Sequence, residues 1–169
     1  SHVQALTDMY PDKTVVVMQT VGQIDTAPFE KGAKAILWTS YNGQTQGTAV
    51  GRILTGAANP SGRLTTTWYD AADLEKMPIN AEKTVAENGA SRYYKNYNLR
   101  QADGFPGRTY QYYSGKAAYP FGYGLGYTEF TYSTPTVSKS VITPGERLTV
   151  SVDVTNTGDV PGKETVQLY

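Results

Sequence analysis

The sequence of 169 residues contains no cysteine and one histidine, His2. Without cysteine the chain can form no disulfide, no thiolate nucleophile and no cysteine-ligated metal site. A serine–histidine triad and a histidine-ligated zinc site are disfavoured because His2 is the single imidazole. Any catalysis by the chain alone therefore rests on carboxylates, lysine or tyrosine, and the sequence implies no metal or organic cofactor.

The chain also lacks an excess of charge and a long apolar run. Its 15 basic residues balance its 15 acidic residues. A nucleic-acid partner favours a basic stripe, and an anionic membrane surface favours a basic face. No segment approaches the roughly 20 apolar residues of a membrane span. We therefore expect neither a nucleic acid nor a membrane as partner.

The first 70 residues alternate between helical and extended patterns. The runs TVVVMQ and AKAILWT are continuously apolar or β-branched, as is typical of strands buried on both faces. The order strand, helix, strand is typical of an α/β fold with parallel pairing. The pattern predicts helices at 3–10 and at 48–56, the second ending at Gly56, and strands at 14–19, 33–39 and 64–69.

The last 37 residues follow a different rule. Leu148, Val150, Val152 and Val154 alternate with polar residues. This period of two predicts a strand with one buried face. The pattern favours the start of an immunoglobulin-like β-sandwich, a fold that needs about seven strands.

Between these blocks, tyrosine and glycine dominate. Ten of the 14 tyrosines lie between Tyr93 and Tyr132. This composition suits neither a helix nor a regular strand, so residues 71–132 are predicted to form an irregular linker. Residues 70–103 form a polar stretch, and structureless stretches of about 30 residues are usually functional or act as lids.

Aromatic and amide side chains of this linker suit a carbohydrate, because sugar rings have apolar faces that stack on tyrosine and tryptophan. Two tryptophans near the ends of predicted strands are also candidates for binding a sugar, because the carboxyl ends of parallel strands face the ligand crevice. The open alternative is that the tyrosines pack between the two blocks and the tryptophans pack in the core. The candidate carbohydrate-binding residues are Tyr93, Tyr94, Tyr97, Asn98, Arg100, Arg108, Tyr110, Tyr112, Tyr113, Trp38 and Trp68.

Carboxylates are the other candidates for chemistry. Two neighbouring carboxyl groups whose environments give them different pKa values can act as general acid and general base. The polar stretch contains such groups, with solvated surface charges as the open alternative. They are Asp70, Asp73, Glu75, Glu82, Glu87 and Asp103.

Four segments together resemble the glycoside hydrolase family 3 β-glycosidases. The loop GQTQG, the strand TTTWY and the segments YNLR and PGRTYQYY resemble the β-xylosidase branch of that family in particular. The four segments are TVVVMQTVG at 14–22, GQTQGTAVGRILTGAANPSGRLT at 43–65, YPFGYGLGYTEFTYS at 119–133 and VDVTNTGDVPGKETVQLY at 152–169.

The resemblance implies a three-part retaining exo-hydrolase. A barrel carries the aspartate nucleophile, an α/β sandwich carries the glutamate acid/base, and a fibronectin-III-like domain follows. We therefore predict α/β followed by partial all-β structure. Residues 3–70 are the C-terminal half of the α/β sandwich, residues 71–132 the tyrosine- and glycine-rich linker, and residues 133–169 the start of a truncated fibronectin-III-like sandwich. Both family carboxylates are expected to lie outside this chain, so no catalytic residue is assigned.

The functional expectation is a fragment of a retaining β-1,4-xylosidase that acts on xylo-oligosaccharides and is inactive alone. The alternatives are a β-glucosidase fragment and a non-catalytic carbohydrate-binding module for xylan or β-glucan. The expected partner is a xylan-type oligo- or polysaccharide. Self-association through incomplete sheets is also expected, and the resemblance implies a secreted or periplasmic location.

Overall fold

A computed structural model describes residues 1–76 and 106–169. The chain divides into two compact units. Unit 1 consists of Ser1–Gln46 and Leu64–Tyr123, and unit 2 consists of Gly47–Arg63 and Gly124–Tyr169. The predicted domain boundaries at 70 and 132 stay predictions.

Unit 1 is built on a parallel strand pair. Ser1 caps the first helix, because its Oγ accepts a hydrogen bond from the Gln4 backbone N–H at 3.2 Å. Strands β1 and β2 pair in parallel along their whole length, which confirms that part of the α/β prediction. The elements are α1 (His2–Met9), β1 (Thr14–Gln19), α2 (Ala27–Glu30), β2 (Ala33–Thr39), β3 (Trp68–Tyr69), α4 (Ala71–Glu75), α5 (Thr109–Tyr112) and β4 (Ala117–Tyr119).

The predicted third parallel strand at 64–69 is wrong. Only Trp68–Tyr69 forms strand β3, and it pairs antiparallel with β4 instead of joining β1 or β2. The Leu64 N–H donates to the Tyr123 carbonyl at 2.8 Å, and the Gly122 N–H donates to the Leu64 carbonyl at 2.7 Å. The segment after β4 therefore supplies the backbone partners that the sequence pattern assigned to a parallel neighbour.

The core of unit 1 lies on one face of the β1–β2 sheet. Met18, Phe29 and Trp68 are its buried residues. Val15 and Val17 stay 43% and 42% exposed. The prediction that β1 is buried on both faces is therefore wrong for this structure. Alternate side chains of β1 point to opposite faces of the sheet, and the described residues cover only one of these faces.

Unit 2 contains most of helix α3 (Gln46–Leu54) and four short strands. Gly56 follows the helix with φ of 75°, which confirms the predicted glycine stop. The predicted strand at 148–154 is two strands, because β7 and β8 pair with different partners. The strands are β5 (Phe130–Tyr132) with β8 (Val154–Asn156), and β6 (Thr136–Val137) with β7 (Val150–Ser151), both pairs antiparallel.

The turn NPSGR is anchored inside unit 2. The Asn59 Nδ2 donates to the Pro161 carbonyl at 3.0 Å, and its Oδ1 accepts the Tyr127 N–H at 2.8 Å. Arg63 forms an ion pair with Glu164 at 2.6 Å. Residues 47–63 therefore pack with the C-terminal strands. In the ranges that the structure describes, no helix is long and apolar enough to cross a membrane.

Candidate functional site

Residues 106–114 of the linker form a closed loop in unit 1. The Ser114 N–H and Oγ donate to the Pro106 carbonyl at 3.0 and 3.2 Å, so the two ends of the loop meet. Gly107 has φ of 96°, a value that glycine adopts without steric cost. Thr109 has φ of 60°, which is unfavourable for a β-branched residue. The loop 106–114 is therefore compact and locally strained.

Tyr69 of β3 holds this loop from outside. Its hydroxyl oxygen accepts the Thr109 backbone N–H at 2.9 Å. Its ring meets the Tyr113 ring edge-on, with centroids 4.8 Å apart and planes at 77°. The Gln23 side chain in turn brackets the Tyr69 backbone, accepting its N–H at 2.7 Å and donating to its carbonyl at 2.5 Å.

A second contact anchors the other end of the loop. The Tyr113 hydroxyl donates to Asp73 Oδ2 at 2.7 Å, and Lys76 Nζ lies 3.0 Å from Asp73 Oδ1. Burial raises the pKa of Tyr113 to about 12, with the Asp73 hydrogen bond adding to the effect. The hydrogen bonds from Tyr113 and Lys76 hold the pKa of Asp73 below its ordinary value. At neutral pH the pair is thus a neutral phenol bound to a carboxylate.

Helix α5 carries the exposed aromatic residues of the loop. Tyr110 is 49% exposed and Tyr112 36% exposed. The Tyr110 ring stacks on Phe121 with centroids 4.8 Å apart and planes at 30°. Arg108, which is half-buried, precedes the helix directly. With Tyr113, which directly follows the helix, four of the predicted carbohydrate-binding side chains therefore lie within one short segment.

The two predicted tryptophans lie in the core instead. Trp68 is 2% exposed and meets Trp38 edge-on, with centroids 5.4 Å apart. Trp38 is half-buried, and its Nε1 donates to Thr20 Oγ1 at 2.9 Å. The Trp68 ring offers no face to a sugar in this structure, so packing is the role that the geometry supports for it.

The remaining predicted residues fall on both sides of the described ranges. Asp70 caps α4, because its Oδ1 accepts the Ala72 N–H at 2.9 Å. Glu75 is exposed near the end of the same helix. Lying outside the described residues are Tyr93, Tyr94, Tyr97, Asn98, Arg100, Glu82, Glu87 and Asp103.

A cleft of about 270 Å³ opens beside Tyr69 in unit 1. Its carboxylates already have protein partners: Asp25 accepts the Ala27 N–H at 3.0 Å, and Glu30 accepts the Tyr119 hydroxyl at 2.8 Å. Among residues 1–76 and 106–169, no group of three or more acidic or histidine side chains could hold a metal ion. The described residues that line the cleft therefore provide no set of ligands for a metal ion.

The model of the glycosyl hydrolase family 3 C-terminal domain matches residues 2–127, more than half of the chain. The chain belongs to glycoside hydrolase family 3. Beta-D-xylosidase 1 of Arabidopsis thaliana is 36% identical over 147 residues, which cover 86% of this chain and 16% of that protein. A beta-glucosidase of Rhizobium radiobacter is 34% identical over 176 residues, covering 99% of this chain and 19% of that protein.

A solved structure of this family shares the fold. The family 3 exo-beta-xylosidase XlnD, in complex with a xylobiose aziridine activity-based probe, superposes with a TM-score of 0.60 at 34% identity. The superposition covers 78% of this chain and 16% of XlnD. The chain therefore spans about a sixth of the length of these family 3 xylosidases, and the resemblance stated from its motifs is confirmed.

Sequence reasoning missed the residues that organise this family 3 loop. Tyr69, Gln23 and Thr109 were not among the predicted site residues, although the structure joins all three. Nothing in the sequence indicates the left-handed conformation of Thr109, which is a residue that disfavours it. The only available signal for Tyr69 was its place in the TTTWY segment of the xylosidase resemblance.

Proposed function

We propose that the chain is part of a retaining exo-β-glycosidase that hydrolyses xylo-oligosaccharides. One observation carries the choice of xylose: the match to a β-D-xylosidase at 36% identity over 147 residues. A substrate of this kind consists of polysaccharide pieces that are met outside the cell. We accordingly infer a secreted or periplasmic location for the whole protein.

The isolated chain is expected to be inactive. Retaining hydrolysis needs a pair of carboxyl groups about 5–5.5 Å apart, one of them with a raised pKa. Asp73, the carboxylate that accepts the Tyr113 hydroxyl, has its pKa lowered by its hydrogen bonds to Tyr113 and Lys76. That shift favours a permanent carboxylate and argues against a general acid.

The experiment compares the protein expressed from its complete reading frame with the 169-residue chain. Initial rates on aryl β-xyloside and aryl β-glucoside give kcat/KM for each. We expect the complete protein to favour the xyloside and the chain to turn over neither. Turnover that follows the purified 169-residue chain through chromatography contradicts the proposed fragment.

The second candidate, a β-glucosidase, is favoured by a specific observation. The Rhizobium radiobacter beta-glucosidase matches 99% of this chain, against 86% for the Arabidopsis thaliana xylosidase. The substrates of the two candidates differ at C5 of the sugar, where glucose carries a hydroxymethyl group and xylose does not. If kcat/KM in the same assay is higher for the glucoside, glucose takes the place of xylose as the proposed sugar.

Helix α5 is the proposed glycan contact of this chain. Exposed tyrosine rings can stack on the apolar face of a sugar, and base–aromatic stacking suggests about 1–3 kcal/mol per ring. We expect Tyr110→Ala and Tyr112→Ala each to lower retention on insoluble xylan about fivefold or more. Tyr41→Ala is the matched control, because Tyr41 is a highly exposed tyrosine of unit 1 outside the loop.

The xylan experiment also separates the enzyme from a binding module. If both α5 variants are retained on insoluble xylan as well as the unmodified chain is, the Tyr110 and Tyr112 rings only pack within the protein. If the 169-residue chain binds xylan and the complete protein hydrolyses neither aryl glycoside, the proposed function becomes that of a non-catalytic carbohydrate-binding module.

A further inference from the structure

We propose that the Tyr69 hydroxyl is a positioning group that holds Thr109 in its left-handed conformation and so sets the direction of Arg108 and Tyr110 towards a xylo-oligosaccharide. The glycan part of this inference rests on the proposed function. The positioning part rests on the contacts of loop 106–114 alone.

The backbone at Thr109 needs an external constraint. Its φ of 60° places a β-branched residue in a region where the Cβ crowds the backbone. Such conformations are energetically unfavourable and persist where the surroundings determine them. A threonine left to itself relaxes to negative φ, and this relaxation turns the flanking side chains.

The hydrogen bond from Thr109 to Tyr69 supplies that constraint. The Thr109 N–H points at the Tyr69 hydroxyl oxygen over 2.9 Å, so rotation of this peptide breaks the bond. Tyr69 is itself held in place by three neighbours. The Gln23 amide brackets its backbone, the Tyr113 ring packs against its ring, and the preceding Trp68 is buried in the core.

The described hydrogen bonds within the loop involve the Thr109 carbonyl and the Thr109 hydroxyl, which accepts the Gln111 N–H at 3.4 Å, but not the Thr109 N–H. The Ser114 N–H donates to the Pro106 carbonyl at 3.0 Å, and the Tyr113 N–H donates to the Thr109 carbonyl at 3.0 Å. Both bonds close the loop on itself. The Tyr69 hydroxyl links the loop to the core at the strained residue, between Arg108 and Tyr110.

The geometry therefore assigns distinct tasks to neighbouring groups. Tyr110 and Tyr112 present exposed rings, whereas Tyr69 contacts no sugar and acts through the backbone of Thr109. Losing the Tyr69 hydroxyl should weaken binding by all of α5 together. A loss of the Tyr110 ring should remove one stacking contact and leave the loop in place.

The test uses the 169-residue chain in four forms: unmodified, Tyr69→Phe, Thr109→Asn and the double variant. Tyr69→Phe deletes only the hydroxyl. Asparagine adopts the left-handed conformation more readily than threonine, so Thr109→Asn relieves the need for an external constraint. Tyr119→Phe is the matched control, because it deletes a half-buried hydroxyl of unit 1 that donates to Glu30.

Amide hydrogen exchange of residues 109–113 and retention on insoluble xylan are measured for each form. We expect Tyr69→Phe to speed exchange at Tyr113, whose N–H donates to the Thr109 carbonyl, and to lower xylan retention, each about threefold to tenfold, as for one lost hydrogen bond. In the Thr109→Asn background, Tyr69→Phe should change both quantities by less than twofold. If the two residues contributed independently, Tyr69→Phe would have about the same effect in both backgrounds. Tyr119→Phe should leave both unchanged.

The outcomes separate this inference from the proposed function. Unchanged exchange in Tyr69→Phe overturns the positioning role, and so does an equal effect of Tyr69→Phe in both Thr109 backgrounds. Faster exchange with rescue by asparagine, together with xylan retention that never changes, keeps the positioning role and shows that the proposed glycan contact is wrong.

Discussion

At the scale of the residue, the Tyr113–Asp73 pair makes stability depend on pH in two ranges. The folded chain raises the pKa of Tyr113 from 10.0 to about 12, so its contribution is complete below pH 10 and is lost as pH rises towards 12. The pKa of Asp73 is lowered from 3.8, so its contribution is complete above that value and is lost as pH falls through the lowered pKa.

Tyr113→Phe tests this pair. The substitution removes a hydrogen bond to a carboxylate and should lower the free energy of unfolding by about 1–2 kcal/mol at neutral pH. It should also remove the alkaline loss attributable to Tyr113 and move the acid loss at Asp73 back towards pH 3.8. Urea unfolding across pH measures both limbs, with Tyr41→Phe as the exposed control. Parallel profiles for Tyr113→Phe and the unmodified chain contradict the assignment.

At the scale of the element, the sequence predicted local structure better than partners. Helices α1 and α3 and strands β1 and β2 lie where periodicity and the Gly56 stop placed them, since these signals act within a few residues. The pairing of β3 with β4 was missed. It joins residues about 50 positions apart, Trp68 with Tyr119 and Tyr69 with Ala117, and no local pattern encodes that choice.

The candidate site shows the same division. Composition singled out Arg108, Tyr110 and Tyr112, because aromatic and guanidinium groups are visible in the sequence. It also offered Trp68, which turned out to be buried against Trp38. Whether a ring packs or faces outward depends on its neighbours in three dimensions. The β3 element, although only two residues long, decides it for both Trp68 and Tyr69, because adjacent strand residues point to opposite faces.

At the scale of the whole molecule, the described strands are arranged only in pairs. All four sheets in residues 1–76 and 106–169 are two-stranded. Two-stranded sheets are marginally stable in water, and their unpaired edges are templates for another chain. The largest of them, β1–β2, also leaves Val15 and Val17 uncovered on one face. The chain therefore combines open sheet edges with an apolar surface, which favours association with a second copy.

We predict that the 169-residue chain forms a dimer or a higher oligomer through the β1–β2 sheet. Light scattering over a hundredfold range of concentration should show a mass that rises with concentration, by mass action. Val17→Lys puts a charge on the exposed face and should shift the chain to the monomer, because charged side chains blunt such surfaces. Val141→Lys is the matched control, since Val141 is highly exposed and belongs to unit 2, whereas the β1–β2 sheet belongs to unit 1. A monomer mass for the unmodified chain at every concentration contradicts the prediction. An equal shift in both lysine variants would place the contact elsewhere, because only the first substitution changes the uncovered face of β1.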